Sequence, residues 1–262
     1  MTGRGIAPFE LTSLLPYYSL TRIVGAVEMT QLVLIPGLMC DAGLWQAMLP
    51  ELALMGSLTF GDLSQEETIE QMATRVLNAC PPTFVLVGFS MGGFVAREIA
   101  RRAPHRVQGL VLIATSSAGD SPLQSELKAA VAASLSDASG EFRGLGRRAI
   151  KLSLSERHEN DADKVRQILD MSLRLGRETY IRQLLMPRND DSMLNLPPCP
   201  TLVIAAADDR MRTLAESRAL CDAIPQATLC VIDDSGHMLP LEQPQRLARV
   251  LAEWLDTYLS RV

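Results

Sequence analysis

The sequence predicts an α/β fold, with a mainly parallel central sheet, helices on both faces and an inserted helical segment. Three observations carry that expectation. Short apolar runs rich in Val, Ile and Leu alternate with stretches of helical period, which is the pattern of successive β-α-β units. The alternation breaks once, over residues 116–198, and then resumes. Finally, Gly88-Phe89-Ser90-Met91-Gly92 has the form Gly-x-Ser-x-Gly and stands where an apolar run gives way to a helix.

Each element has its own justification. Residues 1–28 lack a clean period, Pro16 interrupts them, and Glu10 sits where a secretory leader would be apolar. They are read as an N-terminal extension that adds little to the fold, with a short strand at Thr21–Val27 as an option and Met29 as an alternative start. Gln31–Ile35 is a short apolar run ending at Pro36-Gly37, as a buried parallel strand should. Leu44 to Leu54 reads as a helix with Asp41 as its N-cap and Pro50 as an interruption. Ser57–Phe60 is a candidate strand. Ser64-x-x-Glu67 has the form of a capping box, and Ile69, Met72, Val76 and Leu77 then share one helical face before Pro81-Pro82.

Thr83–Val87 is the next strand, Met91–Arg102 a helix closed by Pro104, and Leu110–Ala114 another strand. Residues 116–198 show helical patterns without a clear strand. Strand, helix, strand and helix follow at Thr201–Ala205, Thr213–Ile224, Ala227–Ile232 and Pro244–Leu259. Right-handed crossovers place the helices on both faces of such a sheet. The organisation expected is a core of residues 29–115 and 199–262, with 116–198 inserted as a helical lid.

Composition limits the possible functions. The 262 residues are 47% hydrophobic and 21% charged, an ordinary globular balance. The formal net charge of -5 argues against nucleic acid as the main partner, since binding phosphates needs a basic surface. No apolar run approaches the ~18 residues of a membrane span, so no stable membrane insertion is expected. Five widely spaced cysteines, Cys40, Cys80, Cys199, Cys221 and Cys230, make neither a disulfide framework nor a zinc-site spacing. They read as reduced thiols in or near the core, which points to a reducing, cytoplasmic compartment. No metal is expected.

The Gly-x-Ser-x-Gly turn carries the chemistry. A sharp strand-to-helix turn holds its serine in a strained conformation, at a cost of about 1–3 kcal/mol, and lifts the hydroxyl above the carboxyl edge of the sheet. The helix that follows offers N–H donors and positive potential at the same place. Ser90 is therefore the candidate nucleophile. Of the three histidines, His237 follows a predicted strand beside Gly236, whereas His105 lies in a helix-to-strand connection and His158 on a charged, solvated stretch.

GFSMGG after TFVLV resembles the nucleophile elbow of the α/β-hydrolase family. LVLIPGLMCD (32–41) resembles that family's oxyanion loop, and VIDDSGHMLPLEQP (231–244) is similar to its histidine loop, with the pattern G-H-x-x-P-x-E-x-P. The resemblance runs from Gln31 to Leu259, the insertion being only loosely matched. Within the family the chain looks most like small carboxylesterases of the pimeloyl-carrier-protein methyl ester esterase type.

The resemblance implies a chain order of Ser, acid, His, and hence Ser90, Asp209 and His237. Asp209 ends the Ala206-Ala207-Asp208-Asp209 turn, where the family often shows Gly-x-x-Asp. Asp208 and, after the preceding strand, Asp120 remain as alternative acids. Asp233 and Asp234 sit too near His237 in the chain and read as solvated. The oxyanion donors implied are the backbone N–H groups of Leu38 and Met91. Many relatives have His-Gly where this chain has Pro36-Gly37, and a backbone donor survives that change.

The activity implied is hydrolysis of carboxylic esters or thioesters of small to medium acyl groups, with a small-molecule ester as partner and no cofactor. C–C bond hydrolysis and cofactor-free perhydrolysis use the same residues, and a non-enzymatic ligand sensor is the third class. Within the insertion, Leu152, Met171, Leu175 and Tyr180 are candidate pocket residues, and Arg143, Arg147, Arg148 and Lys151 form a local basic cluster.

Overall fold

The computed structural model describes residues 29–188 and 195–259. The candidate strand at Thr21–Val27 and the N-terminal extension lie outside the described residues. Among the described residues, six strands form one sheet: β1 (Thr30–Ile35), β2 (Gly56–Phe60), β3 (Phe84–Phe89), β4 (Val107–Ile113), β5 (Thr201–Ala206) and β6 (Thr228–Ile232). Their order is β2-β1-β3-β4-β5-β6 and every pairing is parallel. The chain grows toward one edge from β1 to β2, then toward the other from β3 onward. The order therefore reverses between β1 and β3, the place where a doubly wound sheet opens a crevice beyond its strand ends.

Side-chain alternation divides the core in two. Leu32, Leu34, Val85, Val87, Val111, Ile113, Leu202 and Ile204 face one side with Trp45, Leu247, Leu251 and Trp254. Val33, Ile35, Phe84, Leu86, Leu110, Leu112 and Val203 face the other, packed by Met72, Val76, Val95 and Ile99 of α2 (Ile69–Ala79) and α3 (Met91–Arg102). Both faces are covered, which explains why the strands read as continuous apolar runs.

Three local expectations need correction. Residues 42–55 are two pieces, a 3-10 helix at Ala42–Met48 capped by Asp41 and then α1 (Leu49–Met55). Pro50 does not break α1; it occupies the first turn, where its missing N–H has no intrahelical partner to lose. The cap of α2 is Thr68, whose Oγ1 accepts the Gln71 N–H while the Gln71 side chain accepts the Glu67 N–H. Ser64-x-x-Glu67 competes one turn earlier, but the helix beginning at Ile69 is the one that buries Met72, Ala73 and Val76. β4 begins at Val107 rather than Leu110, and β3 continues through Gly88 and Phe89, which pair with Leu112 and Ile113.

Between β4 and β5 lie α4 (Pro122–Asp137), α5 (Arg147–Ser153) and α6 (Ala162–Leu185), which kinks at Gly176 (φ 81°). After β5 come α7 (Leu214–Asp222), the short α8 (Leu239–Glu242) and the amphipathic α9 (Pro244–Leu259). Among the described residues no helix is long and apolar enough to cross a membrane.

Candidate active site

The carboxyl ends of three neighbouring strands carry non-glycine residues with positive φ: Met39 (54°) beyond β1, Ser90 (51°) after β3 and Ala114 (47°) after β4. Such backbone is costly for L-residues and persists where the surroundings fix it. At Ser90 those surroundings are explicit. Its N–H donates to Ile113 O (2.9 Å), and its carbonyl accepts the Gly93 N–H (3.0 Å) and the Thr115 hydroxyl (2.8 Å). The glycines beside it are needed for close approach. A Cβ at Gly88 would stand 2.6 Å from Gly92 O, and one at Gly92 would collide with the carbonyls of Ile35 and Pro36.

The Ser90 hydroxyl is 2.8 Å from His237 Nε2, and His237 Nδ1 is 2.8 Å from Asp209 Oδ2. The other Asp209 oxygen accepts the N–H groups of Met211 (2.7 Å) and Arg212 (2.8 Å), which fixes the carboxylate plane. His237 and Asp209 are buried while Ser90 keeps some exposure, and the Phe89 ring lies 5.3 Å from the imidazole. An imidazole that donates from Nδ1 to Asp209 has Nε2 free to accept the serine proton, so the arrangement suits general-base activation of Ser90.

The Pro36-Gly37 loop passes beside the serine, for a Cβ on Gly37 would lie 3.2 Å from the Ser90 Cβ. Leu38 follows directly. Met91 opens α3, so its N–H is among the helix's first four, which have no intrahelical acceptor. Leu38 is partly buried and Met39 wholly so. The Met39 N–H donates to Gln183 Oε1 (2.8 Å), and Gln183 Nε2 donates to Leu63 O (3.0 Å). This glutamine of α6 clamps the loop from the far side.

The remaining candidates separate cleanly. Asp208 is exposed and engages the loop through its N–H to Ser235 O. Asp120 pairs with Lys128 and lies 3.8 Å from Arg188. Asp233 and Asp234 are exposed partners of Arg246 and Arg157. His158 is not solvated as the charged sequence around it suggested. Its Nδ1 lies 2.9 Å from the buried Glu242 carboxylate, because the 155–158 turn folds back on the histidine loop.

Met171 belongs to the core, Leu152 is largely exposed, and Tyr180 is half-buried 6.4 Å from the Phe142 ring. Arg147, Arg148 and Lys151 line a cleft of about 540 Å³ with Leu152 and Arg210. Arg210, next to Asp209 in the chain, reaches the carbonyls of Lys151 and Leu154. Burial pushes the Cys40 thiol up to about 12 and the Cys80 thiol to about 11, so both are inert near neutral pH. Among the described residues no group of three or more His, Cys, Asp or Glu side chains could hold a metal.

Sequence reading missed Thr115, Gln183, Ser155 and the partners of Glu242. For Glu242 a signal existed, its place in G-H-x-x-P-x-E-x-P. The others had none, since each acts through a contact distant in the chain.

Comparison with known proteins adds four findings. Residues 50–244 match the family model described as alpha/beta hydrolase fold. A pimeloyl-[acyl-carrier protein] methyl ester esterase from Aromatoleum aromaticum is 27% identical over 85% of this chain and 96% of its own. A namesake from Klebsiella pneumoniae is 39% identical, but the match spans 32% of this chain and the chain covers only 36% of that relative's length. Among solved structures, a thermophilic esterase from Thermogutta terrifontis superposes with a TM-score of 0.77 at 28% identity, over 87% of this chain and 90% of that one. With the six parallel strands and the strained serine between β3 and α3, the family match over most of the chain settles its kinship: the chain belongs to the α/β-hydrolase fold family.

Proposed function

We propose that the protein is a serine hydrolase of carboxylic esters that works through an acyl-enzyme, with Ser90 as nucleophile, His237 as base and Asp209 as its orienting acid. The observation that carries this reading is the hydrogen-bonded series Ser90–His237–Asp209, with 2.8 Å at each link, beginning on a serine held at φ 51°. The esterase names of the relatives support the same reaction class.

In the first half-reaction Ser90 Oγ attacks the ester carbonyl while its proton passes to His237 Nε2. Asp209 holds the Nδ1–H tautomer and stabilises the imidazolium. The carbonyl oxygen becomes an oxyanion that accepts from the backbone N–H groups of Leu38 and Met91. When the carbon–oxygen bond to the leaving group breaks, the imidazolium returns its proton to the departing alcohol. Water then attacks the acyl carbon with His237 again as base. Release of the acid restores Ser90.

Small to medium acyl groups are the proposed substrates, and residues 116–198 the helical lid that shapes their pocket. The reduced thiols suit a cytoplasmic location.

The test is hydrolysis of p-nitrophenyl esters from acetate to decanoate by wild type and Ser90→Ala. Wild-type turnover should fall by about 10⁴-fold or more in the variant. Equal turnover by both would refute the assignment of Ser90. An inert wild type that a fluorophosphonate also fails to label would favour the sensor reading. Labelling without ester turnover would direct the assay to peracid formation and C–C cleavage.

A further inference from the structure

Glu242 is the most deeply enclosed carboxylate near the site, and the proposed reaction gives it no role. Its side chain has no exposure. Oε1 accepts the Gly236 N–H (2.9 Å). Oε2 accepts the N–H (3.0 Å) and hydroxyl (2.6 Å) of Ser155 and lies 2.9 Å from His158 Nδ1. Removing a carboxylate from water is expensive, and an apolar residue of similar volume would often stabilise a core as well or better. Full satisfaction of both oxygens is then a matter of geometry, since it fixes which backbone groups meet.

Two holds flank His237, one made by Glu242 before it and one by the Ser153 carbonyl after it. The residue before it, Gly236, is bound to Glu242 and pressed so closely on Leu154 and Ser155 that a Cβ there would collide with their backbone. Behind it, the Met238 N–H donates to Ser153 O (2.9 Å). Ser153 closes α5, and Leu154 and Ser155 begin the connection from α5 to α6, so this stretch holds the histidine loop at each end.

We infer that Glu242 is a positioning residue for His237, which it sets in line with Ser90 by clamping the Gly236 amide onto Ser155 with His158 as the neighbouring imidazole. This rests on the reading of His237 as the base. A base displaced by an ångström loses on the order of 10²-fold in rate although every reacting group is still present. The clamp makes the footing of the insertion and the placement of the base one structural unit.

The experiment compares wild type, Glu242→Gln and Ser155→Ala in the full-length protein, well below each variant's melting temperature. It reads kcat and KM for p-nitrophenyl butyrate and the rate of Ser90 labelling by a fluorophosphonate. In Glu242→Gln the amide turns a donor toward an N–H that needs an acceptor. Expected is a fall of about 10- to 100-fold in both kcat and labelling rate, with KM within about 2-fold. Ser155→Ala keeps its backbone donor and should show a smaller fall in the same two quantities.

A lower melting temperature with unchanged kcat and labelling rate would overturn the proposal, because the carboxylate would then serve stability alone. If Glu242→Gln does not fold, Ser155→Ala decides by the same two rates. A labelled wild type with unaffected variants sinks the clamp and leaves the serine mechanism standing. An unlabelled wild type sinks both.

Discussion

Ser90 concentrates backbone strain in a single residue. Its positive φ lies where a Cβ is unwelcome, and the strain is held by Ile113 O, the Gly93 N–H and the Thr115 hydroxyl. Comparing two variants that both lack the hydroxyl isolates the backbone cost. Ser90→Gly should be more stable than Ser90→Ala by about 1 kcal/mol, read from urea unfolding with unchanged m-value. Equal stabilities would mean that the elbow is not strained by its side chain. The same logic explains why Gly88 and Gly92 stand on either side, where the backbone approaches Gly93, Ile35 and Pro36 too closely for a Cβ.

Among the elements, α6 has the widest reach across the site. Its first half contributes Met171 to the core, and its second half, beyond the turn at Gly176, aims Gln183 at the loop after β1. Arg174 adds an ion pair to Asp41, and Thr179 and Arg182 both donate to Ser64 O. Gln183 thus spans the Met39 N–H and Leu63 O and sets the peptide next to the proposed Leu38 donor. Gln183→Leu would leave a buried N–H and a buried carbonyl without partners. We expect a loss of about 1–3 kcal/mol in thermal stability and a fall of about tenfold in kcat with little change in KM. Wild-type kcat in the variant would show that Leu38 is held without this clamp.

At the scale of the whole molecule, the stretch between β4 and β5 is joined to three loops around the candidate site: by Gln183 to the loop after β1, by its Leu154 carbonyl to Arg210 in the loop after β5, and by Ser153 and Ser155 to the loop that carries His237. The same junction gathers charge. Lys128 of α4 binds Asp120 near Arg188 and Arg212, and burial together with those guanidiniums pulls its ammonium down to about 8 from the ordinary 10.5. The sign follows from proton counting. Between about 8 and 10.5 the unfolded chain holds a proton on this lysine that the folded chain has released, so this group's contribution to stability rises with pH across that window. The unfolding free energy of wild type relative to Lys128→Met should therefore increase from pH 7.5 to pH 10; a flat difference would place the lysine in an ordinary environment. The α/β alternation and the strand-to-helix turn at Ser90 are legible in the sequence alone, because period and turn chemistry are local and survive in a linear pattern, whereas His237 stands out through the resemblance of its loop to that of the family. The family resemblance points to Asp209 ahead of Asp208 and Asp120, and the contact of 2.8 Å between Asp209 and His237 is a tertiary fact that no linear pattern contains. The Thr68 cap, the enclosure of His158 and the holds made by Gln183, Thr115 and Glu242 were decided by tertiary structure. Each joins groups whose proximity depends on how layers pack, and an isolated glutamine or glutamate in a sequence carries no mark of the amide it will meet.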